Sequence, residues 1–221
     1  MFQDTTVLSR PFLGTREGLI DLIRRGGIES YVQPIVDLFC GEVFGYEMLA
    51  RGTGSFRMPD AMFQAAEDCG LVWELEYECR SAALRKIASL PSSEKGKFFF
   101  INVSPLVFSS PDFQSGFTMA GIRKLGLGQQ KIVLEITEKA SIEDYSGYER
   151  MIRHYIQQGF HIALDDFGSG HSGLVTLVAT TPHFMKIDRS LVAGVDKNAY
   201  KQNLVKSFAA FAENVGSSLL A

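Results

Sequence analysis

Cysteine is scarce. Cys40, Cys69 and Cys79 are the only three in 221 residues, an odd number in no metal-binding spacing. That excludes a disulfide-stapled secreted scaffold and a zinc ribbon, and fits reduced thiols in a cytoplasmic protein. Charge of one sign is also lacking. A net charge of −3 leaves no broad basic surface for a nucleic acid polymer or an anionic lipid face. An anionic ligand would need a local cation. No apolar run approaches the length of a membrane span, and the first residues lack a signal-peptide pattern, so no direct membrane contact is expected. The four histidines, His154, His161, His171 and His183, are scattered with no pair at helical ligand spacing. Surface or hydrogen-bonded roles are expected for them.

What remains is ordinary for a globular chain: 46% hydrophobic and 21% charged residues, enough for one large domain or two small ones. Residues 1–14, with a short Thr5–Leu8 run, read as an N-terminal tail or linker. Thr15 is placed to cap a helix carrying Leu19, Ile20 and Ile23 and stopped at Gly26-Gly27. Tyr31–Val36 and Val43–Leu49 read as strands joined by a turn at Cys40-Gly41-Glu42. Pro59 opens a short helix through Ala66, and a longer one follows from about Val72 to Leu90. Strand and helix then alternate. The strands are Phe98–Val103, Ile132–Thr137, a run ending at Asp165, Phe184–Asp188, and a last one begun by Ser217–Ala221. One helix presents Tyr148, Met151, Ile152 and Tyr155 on one face, and the last presents Leu204, Val205, Phe208, Ala212 and Val215.

This alternation predicts an α/β fold of the (β/α)8 barrel type. Seven strands are counted, so the barrel over residues 15–221 is expected to lack its last strand, with the sequence C-terminally incomplete. An open barrel would leave unpaired edges, which proteins normally cover.

The strands share a further feature. Each is strongly apolar, yet several carry one polar group: Glu47, Asn102, Glu135, Asp165 with Asp166, and Lys186. Glu47 shares the strand phase of Val43 and Leu49, and Glu135 that of Val133 and Thr137, so both point where neighbours suggest interior. Buried carboxylates need compensating cations. In a barrel, strand C-termini meet on one face, where the chemistry lies. Four carboxylates and an amide oxygen make a hard donor set suited to Mg²⁺ or Mn²⁺. Two ions held about 3.5–4 Å apart would serve phosphoester hydrolysis, with Lys186 and Arg51 adding positive charge near a phosphate. Each residue also has a duller reading. Glu47 or Glu135 could pair with a buried arginine, Asn102 could bond its own turn, Asp165-Asp166 could cap a helix, and Lys186 could pair with Asp188. The joint pattern favours a metal site.

Six motifs in order then carry a resemblance: Gln33-Pro-Ile-Val, Glu47-Met-Leu-Ala-Arg51, Asn102-Val-Ser-Pro, Leu134-Glu-Ile-Thr-Glu138, Asp165-Asp-Phe-Gly-Ser-Gly170 and Met185-Lys-Ile-Asp-Arg189. From about Leu19 to Ala221 the chain resembles the EAL-domain family of cyclic di-GMP phosphodiesterases. The resemblance implies metal-dependent opening of cyclic di-GMP to linear pGpG in bacterial second-messenger signalling. It implies that Glu47, Asn102, Glu135 and Asp165 are metal ligands, with Asp166 at the second ion. Lys186 would help hold the attacking water, and Gln33, Leu49 and Arg51 would belong to the dinucleotide site. Glu138 would steady the loop after Asp166, a loop through which homodimers are expected. An upstream sensor or GGDEF-type domain is expected in the full protein.

Two departures from the family pattern stand out. Met48 replaces the alanine of the name-giving triplet, but its side chain alternates away from Glu47. The resemblance implies a general-base glutamate just beyond the point where this sequence stops, so the chain as it stands is expected to cleave poorly. The alternative to a phosphodiesterase is a non-catalytic cyclic di-GMP receptor, which need not keep the metal ligands.

Overall fold

A computed structural model describes residues 13–110, 112–128, 131–137, 145–168, 177 and 180–221. The Thr5–Leu8 run, Glu138 and His171 lie outside the described residues. Seven strands form one curled sheet in chain order: β1 (Glu29–Val36), β2 (Val43–Arg51), β3 (Phe98–Val103), β4 (Ile132–Thr137), β5 (His161–Phe167), β6 (Phe184–Ile187) and β7 (Ser218–Leu220). β1 and β2 are antiparallel, as their short connection requires, and every later pair is parallel. Helices α1 (Leu13–Arg24), α2 (Pro59–Cys69), α3 (Val72–Ser89), α4 (Phe117–Lys124), α5 (Tyr145–Gln157), α6 (Arg189–Val192) and α7 (Ala199–Val215) complete the described architecture. This is the α/β barrel fold that the strand–helix alternation predicts. Among the described residues no helix is long and apolar enough to cross a membrane.

The central strands β3 to β6 are largely buried on both faces, and each face has its own partners. On the outer face Met48, Ile101, Val103, Leu134, Ile136 and Ile162 pack with Ala83, Leu84 and Ile87 of α3, Ile122 of α4, and Tyr148, Met151, Ile152 and Tyr155 of α5. All four residues picked from the sequence for the α5 face are therefore core. Met48 is among the outward residues, consistent with its alternation away from Glu47. On the inner face Phe100, Val133, Ala163 and Phe184 form one layer, flanked by Ile35, Phe44, Phe98 and Leu220. Gly45 makes room for that layer. A side chain there would meet the Phe98 carbonyl at 2.7 Å and the Phe100 ring at 3.2 Å.

The structure corrects three local expectations. Thr15 is not a cap, because α1 begins at Leu13 and contains it. The second helix runs to Cys69 rather than stopping near Ala66, and Gly70 ends it with a left-handed φ of 66°. On α7 only Ala212 of the predicted face is buried. Phe208 packs against Phe167, while Leu204 and Val215 are exposed.

Candidate metal and phosphate site

The inner apolar layer sets the floor of the site. Two residues further along the same strands and the same face come Asn102, Glu135, Asp165 and Lys186, with Glu47 beside Phe100 in the β2–β3 register. Here the structure brings together the acids that the sequence scatters over three strands. The Lys186 ammonium lies 2.9 Å from Glu47 Oε2, 3.2 Å from Glu135 Oε1 and 3.5 Å from Asp165 Oδ1. Burial alone would lower the Lys186 pKa. The carboxylates of Glu135, Asp165 and Glu47 outweigh that and hold the ammonium charged, above the usual lysine range.

Glu135 is 0% exposed. Its Oε1 accepts from Lys186, while its Oε2 is buried with no hydrogen-bond partner among the described residues. An orphaned carboxylate oxygen in an apolar surround is costly unless a proton or a cation meets it. Burial, reinforced by the charges of Glu47 and Asp165 and opposed by Lys186, pushes this carboxyl up to about 8. Burial raises Asp165 as well, against the pull of Lys186 and of the Asp166 amide.

Asp166 sits at a local irregularity of β5. On a regular strand adjacent side chains point to opposite faces. Here the β5–β6 register shifts between Leu164 and Phe167, and Asp166 takes a left-handed φ of 57°. Its amide donates to Asp165 Oδ1 at 2.9 Å, and its charge is near enough to raise the Asp165 carboxyl. Asp188 does not pair with Lys186. It caps α6, accepting from the Ser190 amide at 2.8 Å.

The residues predicted for the dinucleotide lie on β1 and on β2, the strand of Glu47. Gln33 stands opposite Glu47 across the antiparallel pair, and Leu49 stands opposite Tyr31. Arg51 stands opposite Glu29, donates to the Ala50 carbonyl at 2.8 Å, and lies 6.0 Å from the Tyr31 ring centroid. Asn102 is beside Glu135 in register at the exposed end of β3.

Does this set fit a divalent cation? Its donors are all carboxylate or amide oxygens, and the unpartnered Glu135 Oε2 points to a missing positive partner. Among the described residues no three acidic, histidine or cysteine groups already clasp one point. The acids close on the Lys186 ammonium instead. The donor chemistry therefore fits, with one cation standing where others would share the charge.

One buried pair behind the site escapes the sequence reading. Glu76 and Arg80 on α3 are each about 1% exposed and bridge at 3.0 Å. Arg80 donates to Thr118 Oγ1 at 2.9 Å and to the Tyr155 hydroxyl at 3.0 Å, tying α3 to α4 and α5. Glu76 accepts from the Ser104 amide at 3.3 Å, two residues beyond Asn102. In sequence the pair looks like an ordinary helical i,i+4 ion pair. Its apolar neighbours Leu75, Ala82, Ala83 and Leu84 are the signal that it is buried.

Comparison with known proteins agrees with this fold. The family model described as the EAL domain matches residues 16–221. A relative from Escherichia coli K12, the probable cyclic di-GMP phosphodiesterase PdeG, is 28% identical over 210 residues, covering 90% of this chain and 40% of that protein. Two solved structures of Klebsiella pneumoniae BlrP1 cover 87% of this chain and 48% of theirs, each with a TM-score of 0.76. One is a calcium/cyclic di-GMP complex (28% identical) and the other a manganese/cyclic di-GMP complex (27%). The chain spans well under half the length of the curated relatives it matches.

Proposed function

The chain belongs to the EAL-domain family, and from that premise we propose that it is the catalytic domain of a phosphodiesterase that hydrolyses cyclic di-GMP to linear pGpG. The observation that carries the reading is the convergence of Glu47, Glu135 and Asp165, from three strands, on the single ammonium of Lys186. Glu47, Asn102, Glu135, Asp165 and Asp166 would hold Mg²⁺ or Mn²⁺. Such cations, when bound, neutralise phosphoryl charge and acidify water.

The chain's own groups do the rest. The apolar floor of Phe100, Val133, Ala163 and Phe184 excludes water from below and strengthens every charge above it. Lys186, charged and fixed among the acids, orients the attacking water by donating to its oxygen. Gln33, Leu49 and Arg51 position the dinucleotide on the β1–β2 side, with the Arg51 guanidinium suited to a phosphate or a base edge. Glu138 steadies the loop after Asp166, through which a homodimer forms. A sensor or GGDEF-type domain upstream regulates the site, in the bacterial cytoplasm.

The test is to incubate the full-length protein with cyclic di-GMP and Mn²⁺, with and without EDTA, and separate the products by chromatography. Cation-dependent pGpG is the expected result. Ligand bound but never cleaved would make the domain a receptor, and neither binding nor cleavage would end the reading.

A pH dependence follows from Glu135. A cation binds its carboxylate, so below a pKa of about 8 binding must displace a proton. Mn²⁺ affinity measured by calorimetry is expected to rise about tenfold per pH unit between pH 6 and 8, then level off. The proton favours the metal-free fold, because the folded pKa exceeds the unfolded one. That contribution is present at low pH and is lost as pH rises through 8. An affinity flat from pH 6 to 8 would remove Glu135 from the ligand set.

A further inference from the structure

Tyr31 is 52% exposed, although most aromatic rings in this protein pack on one another or into the core. Its position is not that of an incidental surface residue. It shares a strand phase with Gln33, which faces Glu47, and it stands directly opposite Leu49. Contact with Arg51, on the same phase of β2 as Glu47 and Leu49, places the ring on the face of the sheet that carries the site. Two residues along a strand span about 6.6 Å, and neighbouring strands lie about 4.8 Å apart, so the Tyr31 backbone sits roughly 8 Å from that of Glu47. That distance is of the order of the reach from a nucleotide's phosphate to its base.

We propose that Tyr31 is a base-stacking, specificity-determining residue: one face of its ring packs against a purine of the bound dinucleotide, with the Arg51 guanidinium over the ring. The inference rests on the phosphodiesterase reading and extends it to a residue outside the six sequence motifs. A flat, half-exposed ring is preorganised for this role. Its backbone is fixed in the β1–β2 ladder, so little ordering opposes binding. Stacking a base on such a ring is worth about 1–3 kcal/mol when tested by alanine substitution. Phosphate positioning and cleavage, which depend on groups further into the site, do not require the ring.

The experiment compares the full-length protein with Tyr31→Ala, Tyr31→Phe and Tyr31→Trp. Each is assayed on cyclic di-GMP and on bis(p-nitrophenyl) phosphate, a diester without a purine, and binding of cyclic di-GMP in Ca²⁺ is measured by calorimetry. Tyr31→Ala is expected to raise KM and Kd for cyclic di-GMP roughly 5- to 150-fold, with kcat nearly unchanged and the purine-free diester unaffected. Phenylalanine and tryptophan are expected to restore most of the affinity. An unchanged KM in Tyr31→Ala overturns the proposal, and so does an equal loss on the purine-free diester, which would mean that the ring only shapes the rim. If the unaltered protein cleaves the simple diester but neither binds nor cleaves cyclic di-GMP, the functional reading itself fails and takes this inference with it.

Discussion

Replacing Glu47 by alanine is expected to lower cation-dependent turnover of cyclic di-GMP about 10²–10³-fold, the cost of removing one preorganised electrostatic partner from a reacting centre. The loss should fall on chemistry rather than on folding. Glu47 is mostly but not fully buried, and its removal leaves Lys186 with two carboxylates, Glu135 at 3.2 Å and Asp165 at 3.5 Å. No charge is stranded, and the ladder around β2 is untouched. Thermal unfolding of the variant should therefore stay close to that of the parent while its rate collapses. Turnover within a fewfold of the parent would refute the ligand role. Glu135→Ala would be a poorer probe, since it would also open a hole above the Phe100–Phe184 layer.

Glu76→Ala should have the opposite signature. It leaves the Arg80 guanidinium buried without its carboxylate, and breaking a buried pair from one side costs about 3–5 kcal/mol. That is a large part of a domain's whole stability. Urea denaturation should show the midpoint falling accordingly. Thr118 and Tyr155 keep their hydrogen bonds to Arg80, but neither supplies negative charge. Burial raises the Glu76 carboxyl while Arg80 lowers it, so the two partners are mutually dependent. A double replacement by leucine should recover much of the loss, because well-packed apolar residues often substitute for a buried ion pair without penalty. A midpoint in Glu76→Ala unchanged from the parent would mean that water reaches Arg80 and that the pair is not sealed. The Ser104 amide also loses its acceptor, so the turn after Asn102 should loosen, readable as faster amide exchange there.

The irregularity at Asp165–Asp166 shows where reading the chain residue by residue stops. Strand period alone sends adjacent side chains to opposite faces, so one of the two aspartates should leave the site. A register shift and one left-handed residue break that period at Asp166. The α7 face shows the converse. Its apolar spacing is clear in the sequence, yet periodicity reveals only which residues could be covered, and in the described structure Ala212 is buried while Leu204 and Val215 stay exposed. Glu76 and Arg80 illustrate a third limit. An i,i+4 pair of opposite charges reads as a solvated helix face, and only the packing of α4 and α5 against α3 makes it a core element.

Local chemistry alone determined the seven strands, because runs such as Phe98–Ile101 and Ile132–Leu134 are apolar on both faces and have no stable place except a sheet covered on each side. It also determined which residues carry a polar group out of phase with that apolar character. Only the register and curl of the sheet decided that those groups face each other, since the distance between Glu47 and Lys186 is set by the intervening strands and not by either residue's neighbours. The same register decided that a lysine stands among the acids, because a charge buried above an aromatic floor is tolerated only where opposite charge reaches it.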